Sequence, residues 1–165
     1  SNELALRRHS PSSETFHWAL IHVNGNNRVT RHHWAANISD PTGPESYVKE
    51  TLYAGALTAS GNAPILGYFR VPEFNANIIS DQALEQICRS VFPYSHPTAA
   101  HNRSVGITCR TWVKGVLLAI IGGSEYRAQI IESSVTRYSQ GMNNEYGTSF
   151  LWGREFTPQK VPVDV

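Results

Sequence analysis

The sequence predicts an α+β domain in which an antiparallel β-sheet packs against about three helices, and three observations carry that prediction. Aromatic and β-branched residues gather early in short strand-like runs, beginning with "FHWALIHVNGNNRVTRHHW" at 16–34. An Asn-Gly step, Asn24-Gly25, separates two of those runs and is a strong hairpin signal, because a type I′ turn needs positive φ at both central residues. From residue 80 onward apolar residues return every three or four positions, the period of a helix face. Strands gathered ahead of helices point to the α+β class.

The elements follow in order. Residues 1–14 are polar and rich in Ser, Arg and Pro, and read as a flexible N-terminal segment that adds little to the core, leaving 15–165 as one globular domain. Phe16 to Val23 and Arg28 to Ile38 form the first hairpin. If Asn24 and Gly25 are its two loop residues, Val23 pairs with Asn26 and His17 falls opposite His32 on one face. A longer loop using Asn26-Asn27 brings His33 or Trp34 opposite His17 instead.

"SDPTGPES" at 39–46 reads as a turn and "YVKETLYAGALTAS" as a strand running into irregular chain, with a short helix as the alternative. "PILGYFRV" at 64–71 is a proline-bounded strand. "SDQALEQICRSVF" at 80–92 is a helix capped by Ser80 or Asp81, with Ala83, Ile87, Cys88 and Val91 at helical spacing. Residues 93–108 read as a loop. A second helix starts at Cys109, carries Trp112, Val113, Val116, Leu117 and Ile120, and stops at Gly122-Gly123. A third runs from 124 to Gly141, and "TSFLWGREF" is a candidate final strand.

Composition narrows the function classes. At 165 residues the chain can bury a core unaided, and its 41% apolar and 16% charged residues exclude disorder. No apolar run approaches the ~20 residues of a membrane span. The net charge is +1 and the 14 basic residues are scattered, which argues against nucleic acid as a partner. Two cysteines, Cys88 and Cys109, and no secretory leader point to a cytoplasmic protein with free thiols.

Chemistry centres on Cys109. A cysteine becomes a nucleophile as the thiolate, and the first turn of a helix offers unpaired N–H groups that stabilise that charge and could also polarise a substrate carbonyl. The competing reading makes Cys109 the first core residue of the Trp112-Val113-Val116 stripe; Cys88, in mid-helix, is read as core. His17 begins an apolar strand and would face inward. His22 has the opposite parity and reads as a surface residue, and of the adjacent His32 and His33 only one can point inward. His96 and His101 read as exposed loop histidines. A zinc site from His17, His32 and Cys109 lacks the local spacing such sites show, so neither metal nor cofactor is expected.

"HWALIHV" at 17–23 and "CRTWVKGVL" at 109–117 resemble the circularly permuted papain-like thiol enzymes, the LRAT-like and NlpC/P60-like proteins. In the LRAT-like group a His-Trp-Ala strand precedes a Cys-x-x-aromatic-Val helix, matched here by His17, Trp18, Ala19, Cys109, Trp112 and Val113. The chain is similar, too, to short fungal proteins with a His-Trp strand and a Cys-Arg-x-Trp helix. The resemblance implies a permuted papain-like fold, Cys109 as nucleophile, His17 as base and His32 as orienting residue. It further implies that Trp18, Arg110 and Trp112 border the substrate. Thr108 and Thr111 depart from the asparagine and histidine common at those places in LRAT-like proteins. The implied function is acyl transfer or hydrolysis on an amide, ester or thioester of a small molecule or peptide-like substrate. Two alternatives stand beside it: a non-catalytic binding or interaction protein, and an enzyme using His17 for acid-base or cyclisation chemistry with the thiol secondary. Oligomeric state is not legible.

Overall fold

The structure, a computed structural model, describes residues 3–9, 16–52, 65–156 and 163–165. Its elements are β1 (Glu3–His9), β2 (His17–Val23), β3 (Val29–Asn37), β4 (Asp40–Leu52), β5 (Ile65–Arg70), α1 (Asp81–Ser90), α2 (Ala99–Ser104), α3 (Cys109–Ile120), α4 (Glu125–Leu151) and β6 (Val163–Asp164). The strands form one sheet in the order β4-β3-β2-β1-β5-β6, antiparallel throughout except for the β5–β6 pair. The protein is therefore α+β, with four helices among the described residues where the sequence predicts about three. Among the described residues no helix is long and apolar enough to cross a membrane.

The N-terminal segment departs from the sequence reading. Residues 3–9 are not a lead-in but a strand between β2 and β5, and Leu4 is 1% exposed. Its signal in the sequence is only Leu4 and Leu6 at period two, flanked by charge, and what places the strand is the pair of ladders it completes. Residues 39–46 also differ: β4 begins at Asp40 and runs through Pro41 and Pro44. As the outer strand of the sheet it tolerates prolines, whose missing N–H groups would break an interior ladder. The segment 53–64 falls outside the described residues.

The hairpin register is decided by asparagine chemistry. Asn24 Oδ1 accepts the backbone N–H groups of Asn26 and Arg28, both at 3.0 Å, and Asn27 adopts φ 58°. Gly25 is not among the residues with positive φ. The loop is thus three residues, Gly25 to Asn27, with the left-handed residue last, as three-residue hairpins require. Val23 pairs with Val29 and Leu20 with His32, so His17 does not meet His32. The shift is by an odd number of positions, which moves each β3 side chain to the other face relative to β2.

One face then carries Leu4, Trp18, Leu20, Trp34 and Phe69, and the helices cover it. Leu84 and Cys88 of α1, Trp112, Val113, Val116 and Leu117 of α3, and Ile131 and Val135 of α4 pack there. Ser80 caps α1 and Thr108 caps α3, the latter with a reciprocal capping box to Thr111. Residues 99–104, read as loop, form the short helix α2 behind Thr98. The candidate final strand is helix: α4 passes Gly141 and ends at Gly153, φ 60°, where Arg154 N–H donates to Ser149 O and Gly153 N–H to Phe150 O. That pair of bonds is the Schellman closure, which makes Gly153 rather than Gly141 the stop.

Candidate functional site

The β2–β3 ladder runs from Val23↔Val29 to Leu20↔His32. Beyond that point the strands part: residues 17–19 stay paired with β1, and residues 33–37 stay with β4. A cavity of about 920 Å³ is lined by both parted ends, residues 16–18 on one strand and 33–38 on the other, and by Cys109 and Arg110 at the start of α3. That volume is in the range of small-molecule sites.

His17 and His33 bridge the gap. His17 Nε2 and His33 Nδ1 are 2.9 Å apart, with the rings edge to face at 79°. On the far side of His33, its Nε2 lies 3.3 Å from Glu50 Oε2. The same carboxylate oxygen accepts from Arg31 Nε at 2.6 Å. The four side chains occupy one sheet face because Arg31 pairs with Glu50 and His33 with Val48 across β3 and β4. The result is a continuous line, guanidinium to carboxylate to imidazole to imidazole, ending in the cavity.

Cys109 reaches the same cavity from α3. Its Sγ is 3.9 Å from the carbonyl oxygen of Phe16, the residue before His17. Burial pushes the thiol above its ordinary pKa, opposed by the backbone N–H groups of Trp18 and Arg110 and by the Arg103 charge, and reinforced by the Glu45 charge. The net direction is opposite to the activation expected from a helix N-terminus. His17 projects on the face away from α3, since Trp18 and Leu20 occupy the helix-covered face.

Of the residues singled out from sequence, His17, Trp18, Cys109 and Arg110 line the cavity. His32 and Trp112 do not. His32 is 2% exposed on the core face, where its Nδ1 is 2.7 Å from Tyr47 Oη. Trp112 is wholly buried; its indole N–H donates to Cys88 O at 3.0 Å and its ring stacks on Tyr47, which makes it core instead of a substrate contact. His22, read as a surface residue, is 4% exposed, and His33 is 8% exposed, so both adjacent histidines His32 and His33 are buried, on opposite faces. His22 does take the parity opposite to His17, but that face is the one the helices cover. His96 and His101 stack on each other at 3.8 Å, with His96 half-buried. Cys88 is core, and burial pushes its thiol up to about 12.

Sequence reasoning missed His33 as the partner of His17, and missed Glu50 and Arg31 altogether. The available signal was the second loop option, since a loop ending at Asn27 sends Arg31 and His33 to the face of His17. Comparison with protein-family models, with curated proteins and with solved structures gives no match to this chain.

Proposed function

We propose that the chain is a small-molecule enzyme performing general acid–base chemistry in the cavity between the parted ends of β2 and β3, with His17 transferring the proton. The observation that carries this reading is the 2.9 Å contact between His17 Nε2 and His33 Nδ1, with Glu50 behind it. The Glu50 carboxylate, 3.3 Å from His33 Nε2 at ion-pair distance, favours by its charge the tautomer of neutral His33 that carries the proton on Nε2. His33 Nδ1 is then an acceptor, His17 Nε2 donates to it, and His17 Nδ1 keeps its lone pair. An imidazole held in one tautomer by a carboxylate-backed partner is a competent base near neutral pH.

A second reading is cysteine-dependent acyl transfer, supported by the resemblance to LRAT-like proteins and by the presence of Cys109 in the same cavity. In it, the Cys109 sulfur attacks an amide, ester or thioester carbonyl, and because His17 projects to the face away from α3, the thiol proton reaches it through water in the shared cavity. The Trp18 and Arg110 N–H groups, already beside the sulfur, receive the oxyanion. His17 gives the proton to the departing amine, alcohol or thiol, leaving the acyl group on Cys109; water or another acceptor, losing a proton to His17, then attacks that thioester, and the proton returns to the freed Cys109 thiolate.

Two measurements separate the readings. Hydrolysis of 4-nitrophenyl acetate against pH is compared among parent, His17→Gln and Cys109→Ala, and alkylation of Cys109 by iodoacetamide is followed with Cys88 as internal control. Activity lost in His17→Gln and kept in Cys109→Ala supports the histidine-led enzyme. Activity lost in both, with Cys109 alkylating fast below pH ~8 only when His17 is present, supports acyl transfer. Activity unchanged in both variants sinks both and leaves a binding protein.

A further inference from the structure

We propose that the cavity binds a short extended peptide, which pairs as an added strand with the edge of β3 at Trp34 and Ala36. The proposal names the ligand class of the cavity and rests on the reading of that cavity as the working site. It follows from which backbone groups the parting of β2 and β3 leaves facing the gap.

Along an antiparallel strand the N–H and C=O of one residue point to one neighbour, and those of the next residue point to the other. The hairpin fixes the phase, because Asn24 N–H donates to Arg28 O at 3.1 Å. Even-numbered residues of the two strands therefore turn their backbone groups toward each other, as in the His22↔Thr30 and Leu20↔His32 pairs. Past Leu20↔His32 the ladder ends while the phase continues. Phe16 and Trp18 face the gap from one side, and Trp34 and Ala36 from the other. The residues between, His33 and Ala35, turn to Val48 and Ser46 of β4.

The two edges differ in what they meet. On β2, the Cys109 sulfur lies 3.9 Å from Phe16 O and accepts from the Trp18 N–H. On β3, among the described residues, nothing bonds the backbone N–H or C=O of Trp34 or Ala36 across the gap. Residues 33–38 line the cavity without a break, although side chains along a strand alternate between faces, so the backbone itself forms that wall. The side chains of Ala35 and Ala36 stop at Cβ and do not cover it.

Backbone groups at such an edge need a partner, either water or a ligand. Trp34 and Ala36 each offer one donor and one acceptor, two residues apart along an extended chain. A second extended backbone meets that spacing with its own residues i and i+2, which is the strand-addition mode of peptide recognition. Its intervening residues then turn toward β2 and bring a peptide carbonyl to the Cys109 sulfur and the Trp18 N–H. A volume of about 920 Å³ holds a segment of that length.

The test is amide NMR of the isotope-labelled full chain, titrated with blocked pentapeptides, acetyl-Ala-Xaa-Ala-Xaa-Ala-amide, in which Xaa is alanine, valine, phenylalanine, lysine or glutamate. At least one should bind and slow hydrogen exchange at the Trp34 and Ala36 amides about tenfold or more, leaving His33 and Ala35 unchanged. N-methylation of that peptide should weaken binding about tenfold at the alternate residues that face β3, and less at those between. Ala36→Pro removes an N–H that faces the gap and no bond to β4, so it should weaken binding by a similar factor, with thermal unfolding as the check on the fold. Binding by none of the peptides, binding without protection of Trp34 and Ala36, or N-methyl effects that do not alternate overturns the proposal, and the N-methyl series decides even where Ala36→Pro unfolds the chain. Peptide binding with this signature, beside hydrolysis that neither His17→Gln nor Cys109→Ala affects, would sink both enzyme readings and keep this one. Hydrolysis lost in His17→Gln, with no peptide bound, would do the reverse.

Discussion

Two histidine pairs stand on opposite faces of the same two strands, and they have opposite fates. His17 and His33 are in hydrogen-bonding contact at 2.9 Å, beside a carboxylate and a cavity. His22 and His32 lie under α1, with rings 6.5 Å apart. Burial drives the His32 pKa down to about 4, helped by the neighbouring His22 and Lys49 charges and opposed by Glu85 and Asp81. Burial also lowers His22, partly offset by Asp81. The residue type is the same, and only strand parity differs. In the proposed reading one pair passes a proton, while the other is packed as neutral aromatic core that happens to carry nitrogen.

The largest effect expected from breaking this contrast is on the core side. Trp112 is wholly buried and stacks on Tyr47, which in turn contacts His32. Trp112→Ala should cost about 3–5 kcal/mol, from lost burial and a stranded Cys88 carbonyl. Urea unfolding measures it, and a loss below about 1 kcal/mol would remove Trp112 from the core and return it to the substrate wall.

Acid comes next. At pH above the ordinary histidine value, His32 is neutral in both folded and unfolded chains and contributes no pH dependence. As pH falls through about 6.5 the unfolded chain takes up a proton, while folded His32 stays neutral until about 4. Stability therefore falls across that window, by about 3 kcal/mol from His32 alone. His32→Gln should flatten the fall in urea midpoint between pH 6.5 and 4, and His33→Gln should not. An equal effect of both would dissolve the distinction between the two faces.

On the cavity side the balance reverses. Glu50 is half-exposed, so Glu50→Gln should change stability by less than about 1 kcal/mol. It should nonetheless slow histidine-dependent hydrolysis about tenfold or more, because His33 loses the neighbouring negative charge that favours its Nε2–H tautomer. Taking a negative charge from beside imidazoles also disfavours the imidazolium, so the pH–rate profile should move to lower pH. A stability loss of several kcal/mol with an unmoved profile would make Glu50 a structural residue.

Legibility in the sequence followed the range of the forces. Helix α1 was readable because its cap, Ser80, and its apolar stripe are local, and α3 because its stripe from Trp112 to Ile120 is local. The strand character of 17–23, 29–37 and 65–70 was readable for the same reason. Strand β1 was not, since two leucines mean nothing until β2 and β5 flank them. The end of α4 was misplaced because a glycine inside a helix costs only about 1 kcal/mol, and Gly141 is such a glycine, whereas Gly153 adopts the left-handed turn. In the site, His17 and Cys109 could be named from local patterns, and Trp18 and Arg110 through the resemblance. The residues that line the cavity beside them, His33, Glu50 and Arg103, depend on one register and on where α2 lands.

That register turns on a residue whose replacement should matter least. Asn27 holds φ 58°, a conformation that costs an ordinary side chain about 1 kcal/mol or more and glycine nothing. Asn27→Gly relieves that cost but frees the unfolded chain by a similar amount, so the net change should stay within about 0.5 kcal/mol. The three-residue loop survives because Asn24 Oδ1 still accepts from Asn26 and Arg28. Cross-strand NMR contacts between Leu20 and His32 should persist unchanged. Asn27→Val is the sharper companion, since a β-branched residue resists positive φ and the loop's preferred alternative is the two-residue turn at Asn24-Gly25. Contacts moving in that variant toward His17 and His32 would show that one asparagine chooses which histidine faces the cavity, whereas an unmoved register in both variants would assign the choice to packing of Trp18, Leu20 and Trp34 against the helices.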